Sequence, residues 1–306
     1  MRKRKHHYVP RFYLKAWADG ERVYCLRGGR IRPMGLNNVA MENDFYEVQD
    51  LQPEDIEVIR RGVIEPSDER ARPGHEDLLK IFARVAALNR WLAQRPDASN
   101  EAKKALMELI SNLDENYHAA IEHDLQIALN SLLAGSADFF SDVRVAGSFL
   151  RALALQSLRT KKRREAMCTL VRIPLAGAAM ERMWGPMSHM LAVNIGGSLL
   201  RDRSLFRIVL LRNDTDLAFI TGDQPVINVN DERDFRGTPV EIELYYPLSP
   251  KLAMWFVLAS KAPKELTVEL SEAGVRSYNA RIVENHHEQL YASTENALAE
   301  WISSQN

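Results

Sequence analysis

The spacing of apolar residues changes character twice along this chain, and that constrains its fold more than any other feature. From about Pro53 to Leu200 apolar side chains recur every three or four positions, the period of helices packed on one face. Pro53-Glu54-Asp55 makes a favourable first turn, with acids set against the helix dipole. Arg72-Pro73-Gly74 and Pro96-Asp97-Ala98-Ser99 punctuate the run. Ser99 is placed to cap a helix over Asn100 to Leu133, and Asp138 opens another expected to reach Leu170. Outside these limits the pattern is β-like. Arg22 to Leu26 and Arg30 to Arg32 flank Gly28-Gly29 as a hairpin. After Ser204 the pattern predicts strands over Phe206–Leu211, Leu217–Ile220, Val226–Val229, Val240–Tyr246 and Leu252–Leu258, a helix over Ser277–Glu284, a strand near Leu290-Tyr291 and a last helix near Glu295–Trp301. The fold class is α+β, a helical middle flanked by β-rich N- and C-terminal segments that share one mixed or antiparallel sheet. The boundaries fall at residues 1–50, 51–203 and 204–306, read as one interlocked globular unit because the hairpin is too small to stand alone.

Composition narrows the function classes. Hydrophobic residues make up 46% of the 306 and charged residues 26%, which supports a real core and excludes global disorder. Two cysteines exclude a disulfide scaffold, and free thiols fit a reducing, cytoplasmic setting. The uncharged stretch from Met183 to Leu200 contains Pro186, Ser188, His189, Asn194 and Gly196-Gly197, so it reads as buried protein and not as a membrane span. The basic start runs into Tyr8-Val9-Pro10 with no apolar leader. The net charge of −1 hides a segregation: residues 1–33 sum to +8 and residues 151–172 to +6, leaving −15 elsewhere. If both basic segments share a face, nucleic acid is the natural partner; the alternative is that they pair with acidic neighbours. Protein partners are not identified by the sequence.

Three stretches carry candidate chemistry. His6-His7-Tyr8-Val9-Pro10 sets a histidine beside proline-stiffened extended backbone, suited to a general acid or base. Gln156-Ser157-Leu158-Arg159-Thr160 puts an amide on the apolar face of Phe149, Ala152 and Leu153, with a guanidinium one turn on. These groups either lock the helix to the sheet or face a ligand anion. Thr221-Gly222-Asp223-Gln224-Pro225 offers a carboxylate in a fixed turn, as an acid, a metal ligand or an Asx-turn. Asp114, His118 and Glu122 recur at i, i+4 and i+8, but the charge around them predicts a solvated helix face and not a metal site. Arg281-x4-His286 matches a ribonuclease spacing, as does Arg2 with His7, at a frequency chance supplies. P-loop, Rossmann, HExxH and GxSxG motifs are missing.

Together these stretches resemble the uncharacterised HYVP-motif family, domain of unknown function 4238. The resemblance rests on His7-Tyr8-Val9-Pro10 with Phe12-Tyr13-Leu14, Asn38 to Tyr46, Gln156 with Arg159-Thr160, Thr221 to Pro225, Tyr246 to Pro250, and Asn279. Position 222 is Gly where the family more often has Ser. The resemblance implies one shared pocket and no particular reaction. The leading reading is a hydrolase of phosphodiesters, a nuclease. His7 is its acid/base, Gln156 and Arg159 hold the phosphate, Asp223 orients His7 or binds a metal, and Arg11, Asn38, Thr160 and Arg163 contact substrate. A divalent metal is compatible with this set, but no strong ligand cluster stands out. The rival readings are a non-catalytic nucleic-acid- or partner-binding module and a small-molecule enzyme with a deep pocket.

Overall fold

The computed structural model describes residues 2–170, 178–230, 232–234 and 240–302. The N-terminal part comprises strand β1 (Lys5–His7), the short helix α1 (Arg11–Leu14), the hairpin β2 (Arg22–Arg27) and β3 (Arg30–Gly35), and strand β4 (Met41–Asn43). Gly28 and Gly29 both take positive φ, which a side chain would strain, so the two-residue turn needs them. Helices α2 (Pro53–Ile59), α3 (Arg72–Ala93), α4 (Asn100–Leu133), α5 (Val143–Leu158), α6 (Lys161–Leu170) and α7 (Met180–Arg201) follow. Ser99 caps α4 as the sequence predicts, its side chain accepting from Ala102 N–H at 3.2 Å.

The single helix expected from Asp138 to Leu170 is instead a short 3-10 turn, α5 and α6, with a break at Arg159-Thr160. Tertiary partners hold that break. The Thr160 hydroxyl donates to Gln224, and the Tyr46 hydroxyl reaches the Arg159 carbonyl at 3.4 Å. Lys161 and Lys162 are thereby turned toward the 285–288 bend, while Arg172 of the second basic segment lies outside the described residues.

Strands β5 (Phe206–Arg212), β6 (Thr221–Gly222), β7 (Ile227–Asn228), β8 (Leu244–Ser249), β9 (Leu252–Leu258) and β10 (Thr267–Glu269) lead to helix α8 (Glu272–Asn285), strand β11 (Leu290–Ala292) and helix α9 (Asn296–Ala299). The hairpin does join C-terminal strands, in the order β3-β2-β11-β6. The shared sheet, however, takes only part of them. The others form a second sheet, β10-β5-β9-β8-β7, antiparallel except for β10 with β5, and β1 pairs with β4 in a separate ribbon. The expected strand over Leu217–Ile220 forms no strand pairing, because side chains and the Pro250 carbonyl take its backbone groups. Asn279 binds Ile220 N–H and the Ala218 carbonyl, Trp17 donates to the Phe219 carbonyl at 2.9 Å, and Asn213 to that of Leu217 at 2.6 Å.

One core draws on all three segments, with Tyr8, Tyr13 and Trp17 packed among Leu129, Phe149, Tyr246 and Tyr291. The Tyr13 hydroxyl lies 2.7 Å from the Thr221 hydroxyl and donates to the Pro247 carbonyl at 2.8 Å. Three motifs far apart in sequence therefore meet on one side chain. Met183 to Leu200 lies within α7, and no helix among the described residues is long and apolar enough to cross a membrane.

Candidate functional site

Strand β1 decides what its two histidines do, because successive side chains point to opposite faces. His6 turns inward and is fully buried, its Nδ1 accepting from Tyr46 N–H at 2.8 Å and its Nε2 3.1 Å from the Lys3 carbonyl. His7 and Lys5 face the other way, into an open cleft of about 650 Å³ whose walls also include Pro10, Arg11, Phe12, Asn37 and Glu115. His7 Nε2 is buried and without a hydrogen-bond partner. Burial pushes its imidazole down to about 4, with Arg11, Arg159 and Lys5 acting in the same direction, so the ring is neutral at pH 7. Glu115 faces the same cleft with its Oε2 unpartnered, and burial pushes its carboxyl up to about 7.

Arg159 and Gln156 do not reach into this cleft; they hold the backbone that presents His7. Arg159 is 3% exposed and donates to the His7 carbonyl, to Glu122 at 2.6 Å and to the Tyr46 hydroxyl at 3.0 Å. Gln156 donates to the Tyr8 carbonyl at 3.1 Å. Thr160 binds Gln224, whose amide in turn donates to the Ser157 and Val226 carbonyls. Asp223, read as orienting His7 or holding a metal, is spent elsewhere. Its carboxylate accepts three main-chain N–H groups, from His287 at 2.8 Å, Glu288 at 2.7 Å and Gln289 at 3.0 Å. Arg11 lines the cleft and pairs with Glu21 at 3.3 Å. Asn38 sits exposed and takes Lys5 Nζ at 3.1 Å, leaving its neighbour Asn37 as the amide in the cleft wall. Arg163 is exposed on α6, outside the cleft lining.

Much of the segregated basic charge is held by ion pairs or carbonyl groups within the chain. Lys161 pairs with Glu288 at 2.8 Å, Lys162 caps the Asn285 carbonyl, and Arg164 donates to the Phe45 carbonyl. Near the start, Arg2 and Arg4 both pair with Asp44.

The solvated face expected for Asp114, His118 and Glu122 is not what the fold makes. Helix α7 packs against α4, and Asp114 and His118 are 2% and 1% exposed. His189, from α7, brings Nε2 to 2.5 Å from Asp114 Oδ1, while His118 Nε2 lies 3.5 Å from the same oxygen. One ligand atom from each residue falls within 4.8 Å of the others, an arrangement geometrically compatible with a metal ion. Burial, aided by Arg159 and His189, pushes His118 well below the usual histidine range. Tyr46 links this cluster to the cleft, its ring centroid 4.1 Å from that of His118 and its hydroxyl on Arg159. The helical spacing of Asp114 and His118 was legible in the sequence, as was a polar His189 inside the uncharged stretch from Met183 to Leu200. Nothing local joined the two, and Glu115 carried no signal of its own.

A family model described as "Protein of unknown function (DUF4238)" matches residues 5–296. No curated protein and no solved structure matches the chain.

Proposed function

We propose, for a chain that belongs to the DUF4238 family, a hydrolase of phosphodiesters that works in the cleft headed by His7. The observation that carries this reading is the unpartnered Nε2 of a neutral imidazole in the wall of an open cleft that also holds Lys5, Arg11, Glu115 and Glu122. A volume of about 650 Å³ suits a nucleotide-sized ligand, with Pro10 and Phe12 as an apolar wall for a base. Lys5 and Arg11 stand at the rim for the phosphate oxygens. His7 Nε2 accepts the proton of the attacking hydroxyl as its oxygen bonds to phosphorus. Glu115, in the same cleft, is positioned to give a proton to the oxygen that departs. Arg159 and Gln156 act as positioning residues, since they fix the carbonyls of His7 and Tyr8.

The test uses the full chain against labelled single-stranded RNA and DNA and a chromogenic phosphodiester, beside His7→Gln and Glu115→Gln. His7→Gln keeps the carbonyl that Arg159 binds, so the expected loss of about 10²–10⁴ in rate reports the imidazole. Cleavage at the wild-type rate by His7→Gln, or no cleavage of any substrate by wild type, overturns the reading. The second outcome favours a non-catalytic nucleic-acid- or partner-binding module. That alternative draws on the number of motif side chains, Gln156, Thr160, Asp223 and Asn279, bonded within the fold.

A further inference from the structure

We infer that Asp114, His118 and His189 bind one divalent transition-metal ion of the zinc class inside the helical layer. This goes beyond the cleft chemistry and does not depend on it. Two imidazoles and one carboxylate are a donor set that suits zinc or cobalt in tetrahedral coordination, with a fourth position left for water.

The packing supports that use over a simple buried hydrogen bond. Asp114 and His189 satisfy one another through Oδ1 and Nε2. His118 has no such account: it is 1% exposed, and neither ring nitrogen has a hydrogen-bond partner. His189, 4% exposed, also leaves Nδ1 unpartnered. Native interiors seldom leave buried polar atoms of this kind unpaired without a reason. An ion between Asp114 Oδ1 and the two Nε2 atoms gives His118 a bond and replaces the Asp114–His189 contact. In the metal-bound form His189 offers the lone pair of Nε2 and carries its ring proton on Nδ1.

Two features leave space beside the Asp114 carboxylate. Gly185 of α7 backs the Asp114 carboxylate, and a Cβ there would come within 3.2 Å of Oδ2. A cavity of about 20 Å³ lies on the Asp114 side of the cluster, lined by Asp114, Tyr46, Arg159 and Gly185 but by neither histidine, and has space for one water-sized ligand. It is too small for a substrate, so this ion is a pin between α4 and α7, felt at Tyr46 and not by a reacting phosphate.

The test is binding of Co²⁺ and Zn²⁺ to chelator-stripped full-length protein. One Co²⁺ per chain, with the strong visible absorption of a tetrahedral site, is expected. Asp114→Asn, His118→Gln and His189→Gln should each weaken binding by at least the roughly 10–100-fold that loss of an outer-shell partner costs. Saturating Zn²⁺ should raise the wild-type melting temperature by about 5 °C, reversibly with chelator, a readout that needs no variant to fold. Equal binding by wild type and the folded variants assigns the metal to other histidines and overturns the inference. A wild-type protein that takes up no metal and shows no thermal shift overturns it as well.

Discussion

Replacing Asp223 separates a structural lock from a reacting group. The carboxylate is 2% exposed and holds three consecutive main-chain N–H groups of the bend between α8 and β11. That bend carries Gln289, whose side chain reaches the Tyr8 hydroxyl at 3.2 Å and accepts from Tyr291 at 2.9 Å. Burial raises the Asp223 carboxyl above its ordinary value, and the three N–H donors work against that cost. In Asp223→Ala the N–H groups of His287 and Glu288, on half-buried residues, regain water, whereas that of Gln289 stays buried and unpaired. One full orphan at about 1–3 kcal/mol, two charge-assisted bonds exchanged for water, and relief of a buried charge sum to about 3 kcal/mol of lost stability. Asp223→Asn keeps an oxygen where Oδ2 serves Glu288 and Gln289 but sets an amide N–H₂ against His287 N–H, so about half that loss is expected. Urea unfolding followed by circular dichroism measures both. An Asp223→Ala protein within about 0.5 kcal/mol of wild type refutes the lock. Lost phosphodiester cleavage at undiminished stability would return Asp223 to the chemistry.

Gly196 and Gly197 make a paired prediction at the crossing of α5 and α7. A Cβ on Gly196 would lie 2.8 Å from the Arg151 backbone, so Gly196→Ala should cost about 1–3 kcal/mol, while Gly197, with nothing within 4 Å, should gain about 0.5–1 kcal/mol as Ala. Equal melting temperatures for the two variants would contradict this. His7 makes the fold acid-sensitive. Its folded value of about 4 lies below the ordinary 6.5, so the unfolded chain binds the proton more tightly, and stability present above pH 6.5 is lost as pH falls toward 4. The ring is partly exposed, so solvent screening leaves about 1–2 kcal/mol of this, and His7→Gln should flatten the stability–pH slope in that window.

Elements whose ends are set by local chemistry were readable from the chain. Ser99 capping α4, Pro53 opening α2 and the paired glycines between β2 and β3 need only their neighbours in sequence. The tether that breaks the helix at Arg159-Thr160 was not readable, since its partners lie 64 and 113 residues away at Gln224 and Tyr46. The strand predicted over Leu217–Ile220 failed for the same reason: Trp17 and Asn279 supply the hydrogen bonds a ladder would have made. Of the candidate residues, His7 and Arg11 were found at the cleft, and Arg159 and Gln156 behind it.

By itself, then, the sequence determined the α+β class, the helix caps and turns, and which residues are chemically capable, because short-range sterics and hydrogen bonding decide those. Only the tertiary structure decided which capable residues face solvent, which face each other and which are spent on backbone. Asp114 and His118 carry the same spacing on a wet helix as on a buried one. It is the arrival of α7, with His189, and of the Tyr46 ring that removes their water.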